Sequence, residues 1–147
     1  MILATEHLGN IEYSEGDIIT FAHGIPGFEE IKQYIIVPAE DIEFPFSYLQ
    51  SIQSADLAFI VTDPFLFVEN YDFELSKSDA EALNVLSEEQ LADISVFGIV
   101  SIPDDVDKTT MNIMAPIVIN HFTKVGRQVL LSEYSDTKMP LFRKIEG

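Results

Sequence analysis

His7, His23 and His121 are the three imidazoles of the chain, and no two of them stand at ligand spacing. Without an H-x-x-x-H or H-E-x-x-H pair, the helical arrangement that holds a catalytic zinc has no candidate. The chain has no cysteine. That removes a thiolate metal site, a disulfide framework and a cysteine nucleophile together. Asp104-Asp105-Val106-Asp107 opens like a calcium loop, but aligned from Asp105 the glycine position holds Thr110 and the bidentate-glutamate position holds Pro116. Gly24-Ile-Pro-Gly27 has the outline of a phosphate-clamping G-x-x-G loop, yet Glu29 and Glu30 follow it and Pro26 offers no N–H. A tight turn fits those residues better, with the glycines supplying unusual φ and Pro26 fixing its neighbour. Neither a G-x-S-x-G elbow nor a Walker loop is present. The expectation is therefore no catalytic residue, no metal and no cofactor. The 25 carboxylates keep one enzymatic alternative open, a hydrolase or isomerase with a converging pair of acids, although no two are singled out by position.

The elements that would position any site are mostly strands. Period-2 and β-branched patterning predicts strands over Ile2–Ala4, Gly9–Tyr13, Asp17–Phe21, Gln33–Pro38, Phe46–Ser51, Leu57–Thr62, Asp72–Leu75, Ile94–Ile102, Met111–Asn120 and Gln128–Leu131. Turn residues separate them, as at Ser14-Glu-Gly16, Asp63-Pro64, Pro103-Asp-Asp105 and Val125-Gly126. One stretch differs. Ser78-Asp-Ala-Glu81 has capping-box form and Ser87-Glu-Glu-Gln90 repeats it, predicting two short helices or one interrupted helix over about 78–92. Many short strands with one helical insert predict a mainly β, compact, antiparallel β-barrel-like fold in a single domain, 1–147. Lys138–Gly147 reads as a tail.

Charge narrows the partners. The net charge is −17, and residues 33–107 carry 16 acidic side chains against Lys77 alone. Residues 108–147 carry six basic and three acidic residues. A field of that sign repels phosphate backbones and anionic lipid, so direct nucleic-acid or membrane binding is not expected. It favours a basic protein and speeds encounter with one. Phe44, Phe46, Tyr48, Phe59, Phe65 and Phe67 could form a base-stacking platform, but without Lys or Arg beside them they read as core. Phe65-Leu66-Phe67-Val68 puts four apolar residues in succession. Either both of its faces are covered, or part of it is an exposed contact patch. Met1–Glu6 has neither the basic start nor the apolar stretch of a signal peptide, and the apolar runs are strand-length, so a cytoplasmic location is expected.

In order and spacing, several segments resemble the flagellar assembly factor FliW family: Phe21-Ala-His-Gly-Ile-Pro-Gly-Phe28, Pro45-Phe46 with Leu49-Gln50-Ser51, and Phe59-Ile-Val-Thr-Asp-Pro64. Tyr71-Asp-Phe-Glu74, Thr110-Met-Asn-Ile-Met-Ala-Pro-Ile-Val-Ile-Asn120 and Gly126-Arg-Gln128 continue the likeness. The resemblance implies a non-enzymatic protein with two partners, flagellin and the RNA-binding translational regulator CsrA. Flagellin would occupy the protein until its export, after which the freed protein would sequester CsrA and relieve repression of flagellin translation. For CsrA, the expected contacts are the turn-like acids Glu40, Asp41 and Glu43, with Asp104, Asp105 and Asp107. For an amphipathic flagellin segment they are Phe65 and Phe67. A purely structural interaction subunit is the third reading. Asn112, Asn120 and Gln128 stand among apolar neighbours and need hydrogen-bond partners, which tying strands together would supply.

Overall fold

The computed structural model describes residues 1–5, 8–39, 46–68 and 70–141. Ten strands run in chain order: β1 (Ile2–Thr5), β2 (Gly9–Glu12), β3 (Ile19–Thr20), β4 (Gln33–Pro38), β5 (Phe46–Ser51), β6 (Ala58–Thr62), β7 (Ile94–Ser101), β8 (Thr110–Asn120), β9 (Val125–Gln128) and β10 (Met139–Pro140). β1 and β2 form a separate hairpin. The strands from β3 to β9 pair in the ring β8-β7-β6-β5-β4-β3-β9, and β9 pairs back onto β8, closing a seven-stranded barrel. Every joint of the ring is antiparallel except β3–β9, a parallel contact of one residue pair, Thr20 with Val125. The barrel predicted from strand spacing is the fold observed.

Strand alternation divides the apolar residues into two clusters. Ile19, Phe21, Tyr34, Leu49, Val61, Ile117 and Ile119 share the inner face. Phe21 meets Tyr34 edge-on, with ring centroids 5.3 Å apart. Tyr34 lies so deep that its hydroxyl, which has no partner among the described residues, is pushed up to about 12 by burial. The outer face of β5–β8 carries Phe46, Val100, Met111 and Val118. Left bare it would be an apolar sheet in water. Residues 63–93 and 129–141 cover it, burying Tyr71, Leu83, Val129 and Leu131.

The predicted turn at Gly24-Ile-Pro-Gly27 is a type II turn. Phe28 N–H donates to Ile25 C=O at 2.7 Å, Pro26 sits where φ is preset, and Gly27 takes φ +92°. Ala115-Pro116 lies in a bulge. Between Phe97 and Ile99 the β8 partner changes from Ile117 to Asn112, so two steps along β7 face five along β8. Asn112 Oδ1 holds the excess, accepting from Met114 N–H at 3.0 Å and Ala115 N–H at 3.1 Å. Gln128 Nε2 donates to Ala115 C=O. Buried Asn120 ties three places: Nδ2 donates to Leu83 C=O at 2.8 Å, and Oδ1 accepts from Phe122 and Thr123 N–H. Of the three, Gln128 ties one strand to another as expected, whereas Asn112 holds the bulge of its own strand and Asn120 joins its own turn to Leu83 at the end of a helix. Asn120→Ala leaves the Leu83 carbonyl unpaired, and an urea midpoint shift equivalent to about 1–3 kcal/mol is the expected result.

Five local expectations need correction. Asp72–Leu75 is extended and alternates exposed with half-buried side chains, but it is no strand, because no neighbouring strand pairs with it. Strand β9 spans Val125–Gln128, not Gln128–Leu131: Gly126 must pack on Phe21, and Val129 and Leu131 turn away to the β8 bulge. Helix α1 (Lys77–Ala82) begins two residues early, capped by Ser76 instead of Ser78. Ser76 Oγ accepts from Asp79 N–H at 3.1 Å and donates to the Asp79 carboxylate at 2.9 Å. The second helical piece, Glu88–Asp93, is a 3-10 helix that starts after Ser87 as expected, but the capping box does not form: the Ser87 side chain makes no cap hydrogen bond and Gln90 Oε1 accepts from Leu86 N–H. The segment read as a tail is partly sheet, since Met139 pairs with Met111 and Leu141 N–H donates to Thr109 C=O.

Candidate protein-interaction surface

Residues 63–93 leave β6, cross the outer face of the barrel and return as β7. Asp63 accepts from Phe65 N–H, starting a 3-10 turn over Pro64–Leu66. The extended stretch 71–76 is pinned at its start: Tyr71 is buried and donates its hydroxyl to Ile113 C=O at 2.7 Å. Asp72 N–H donates to Tyr134 Oη, whose hydroxyl returns a bond to Asp72 C=O. Burial and the neighbouring Tyr134 and Glu133 raise the Tyr71 hydroxyl well above the ordinary phenol range. Helix α1 is fixed to the barrel by buried Leu83 and by Arg127, whose Nε lies 2.7 Å from Asp79 Oδ1. It ends with Asn84 at φ +59°. Val85 N–H reaches back to Ala80 C=O and Asn84 N–H to Glu81 C=O. That Schellman closure reverses the chain so that 85–91 runs beside 71–76.

Between those two stretches lies an open groove of about 650 Å³. Val96 and Val118 of the barrel's outer face form its floor, with Phe73 and Leu75 on one side and Val85 and Leu91 on the other. Asp72, Glu74 and Glu88 edge it and are exposed. Among the described residues no Lys or Arg lines it. Among the described residues no three His, Asp or Glu side chains group as a metal site, and no helix is long and apolar enough to cross a membrane. The groove can bury apolar surface and attract cations.

The residues expected to make contacts fall in separate places. The four-residue apolar run splits: Phe65 is 52% exposed and lines the groove, while Phe67 packs on Phe46 at 6.2 Å and belongs to the outer core. The run is therefore not covered on both faces: Phe65 and Leu66 are exposed, while Phe67 and Val68 pack on the outer cluster. Asp104, Asp105 and Asp107 are exposed on the β7–β8 loop, at the other end of β7 from the groove floor. Lys108 N–H donates to Asp105 C=O there. Glu40, Asp41 and Glu43 lie outside the described residues. Leu86, Leu91, Glu74 and Glu88 also line the groove, and none of them carried a contact expectation from sequence. The available signal was leucines in an acidic stretch too short to bury both.

The family model described as FliW protein matches residues 2–141. The chain belongs to the FliW family. It is 43% identical over 147 residues to the flagellar assembly factor FliW of Alkaliphilus metalliredigens, covering 99% of this chain and 89% of the relative. Against the Bacillus subtilis flagellar assembly factor FliW it is 40% identical over 142 residues, covering 96% of each. A crystal structure of a flagellar assembly factor FliW superposes with a TM-score of 0.87 at 36% identity, over 98% of this chain and 99% of that one. This FliW-family chain thus has both the sequence and the barrel of its relatives, and the resemblance seen in its turns and strands extends to the whole fold.

Proposed function

We propose that this FliW-family chain serves flagellar assembly in the cytoplasm as a non-enzymatic binding protein that engages flagellin and CsrA in alternation. While flagellin fills it, CsrA is free to repress flagellin translation. Once flagellin is exported, the chain takes CsrA and repression ends. The carrying observation is the family match over residues 2–141. The charge supports it: a protein that holds RNA must present positive surface, and 16 of the 25 acids here lie in residues 33–107. An acidic body docked beside the RNA-binding surface raises the free energy of bound RNA without covering it, a coupling between two sites. Competition tests the scheme. Immobilised chain loaded with CsrA should release it as flagellin is added, with flagellin retained in its place. A stable ternary complex with CsrA affinity unchanged would contradict alternation.

A further inference from the structure

Residues 63–93 carry nine acidic side chains against Lys77 alone, and Asp79 is already paired with Arg127. The groove they enclose has an apolar floor and a rim of one sign, Asp72, Glu74 and Glu88. Leu86 is 81% exposed, Phe65 52% and Leu91 48%, and all three line that groove. Single exposed apolar residues need no explanation, but three converging on one trough form a patch that water covers at a cost. We propose that the groove is the docking site for an amphipathic α-helix of a partner protein, one whose apolar stripe is flanked by Lys or Arg.

The shape and the charge each exclude something. A trough of about 650 Å³ open to solvent leaves one side of its occupant wet, which suits a helix that satisfies its own backbone and needs to bury only an i, i+3, i+4, i+7 stripe. Basic side chains beside the stripe lay their methylenes on the groove edge and carry the ammonium or guanidinium out to Asp72, Glu74 and Glu88. An acidic helix with the same stripe meets repulsion at every rim position. A neutral small molecule would use the floor and leave the rim without a role. The inference rests on the proposed function only in taking the occupant to be a protein.

The chain contains no tryptophan, so a single Trp in a peptide reports its own burial. The probe is a synthetic Leu/Lys amphipathic peptide of about 20 residues, long enough to hold a helix, with Trp in the apolar stripe. Its controls are the Leu/Glu peptide with the same stripe and a Leu/Lys scramble without one. The Leu/Lys peptide should saturate at one per chain with blue-shifted emission, and both controls should bind at least about tenfold more weakly. Leu86→Asp with Leu91→Asp should abolish the saturable phase. Leu130→Asp, an equally exposed leucine outside the groove, should leave it unchanged. Glu74→Lys with Glu88→Lys should exchange the preference towards the Leu/Glu peptide. Equal binding of helix and scramble, or equal loss in the Leu130 variant, overturns the proposal as mere stickiness. So does an unexchanged preference in the rim variant. Capture of purified flagellin and CsrA is run in parallel on the unaltered chain. Partners captured without peptide binding would overturn the groove alone, and peptide bound without either partner would overturn the alternation scheme alone.

Discussion

Phe21→Ala is expected to lower stability by about 3–5 kcal/mol, read as a fall in the urea midpoint at constant slope. Phe21 is fully buried at the closing joint of the barrel. Its ring faces Tyr34 on one strand and Gly126 on another, and a Cβ at position 126 would lie 2.5 Å from the Phe21 Cζ. The absent side chain at 126 is therefore part of the same packing unit as the ring. Gly126→Ala overfills it and should cost about 1–3 kcal/mol. In a Phe21→Leu background, where the far edge of the ring is gone, much of that second cost should vanish, a coupling a double-mutant cycle measures directly. If alanine at 126 costs the same in both backgrounds, the ring is not what excludes it.

The second large effect is kinetic. If the chain takes CsrA as proposed, their association should slow as salt rises, within the ~10–10³-fold range that protein fields produce. Reversing Asp104, Asp105 and Asp107 to Lys should slow association more than it speeds dissociation, and should leave the melting temperature nearly unchanged because all three are exposed. Slower association is likewise expected of reversal at Glu40, Asp41 and Glu43. An equal reversal at exposed Glu12, Glu15 and Glu30 separates location from total charge. Equal losses at all three places, measured by stopped flow at low ionic strength, would reduce the acids to a diffuse field. No loss anywhere would remove electrostatic steering altogether.

Much of the barrel was legible because its strands alternate. Gln33–Pro38 and Phe46–Ser51 coincide with their predicted bounds, their β-branched and aromatic residues marking them as strands although both faces carry apolar side chains. Alternation alone misled at Asp72–Leu75, where the pattern comes from resting on the outer face of a barrel and not from a ladder. Local signals also competed on equal terms: Ser76-x-x-Asp79 and Ser78-x-x-Glu81 are both capping boxes. The anchoring of Asp79 by Arg127, 48 residues away, favours the first, and no local reading includes that contact. The groove was illegible for a related reason. Its floor comes from β7 and β8 and its walls from two stretches of one excursion, so it exists only after the excursion has docked. Of the expected contact residues that the structure describes, Phe65 alone lines it.

The single parallel contact between β3 and β9 has a consequence for how the chain is made. Thr20 must find Val125, a partner almost at the other end of the polypeptide, and closing so long a loop is entropically late. On a ribosome adding 5–20 residues per second, roughly 5–20 seconds separate the emergence of the two strands. Through that interval Tyr34, Leu49 and Val61, which face one another inside the finished ring, have no lid. For those seconds the nascent chain presents an open apolar sheet of the kind that aggregates or is sheltered by ribosome-associated chaperones. The last stave to be synthesised ends that exposure.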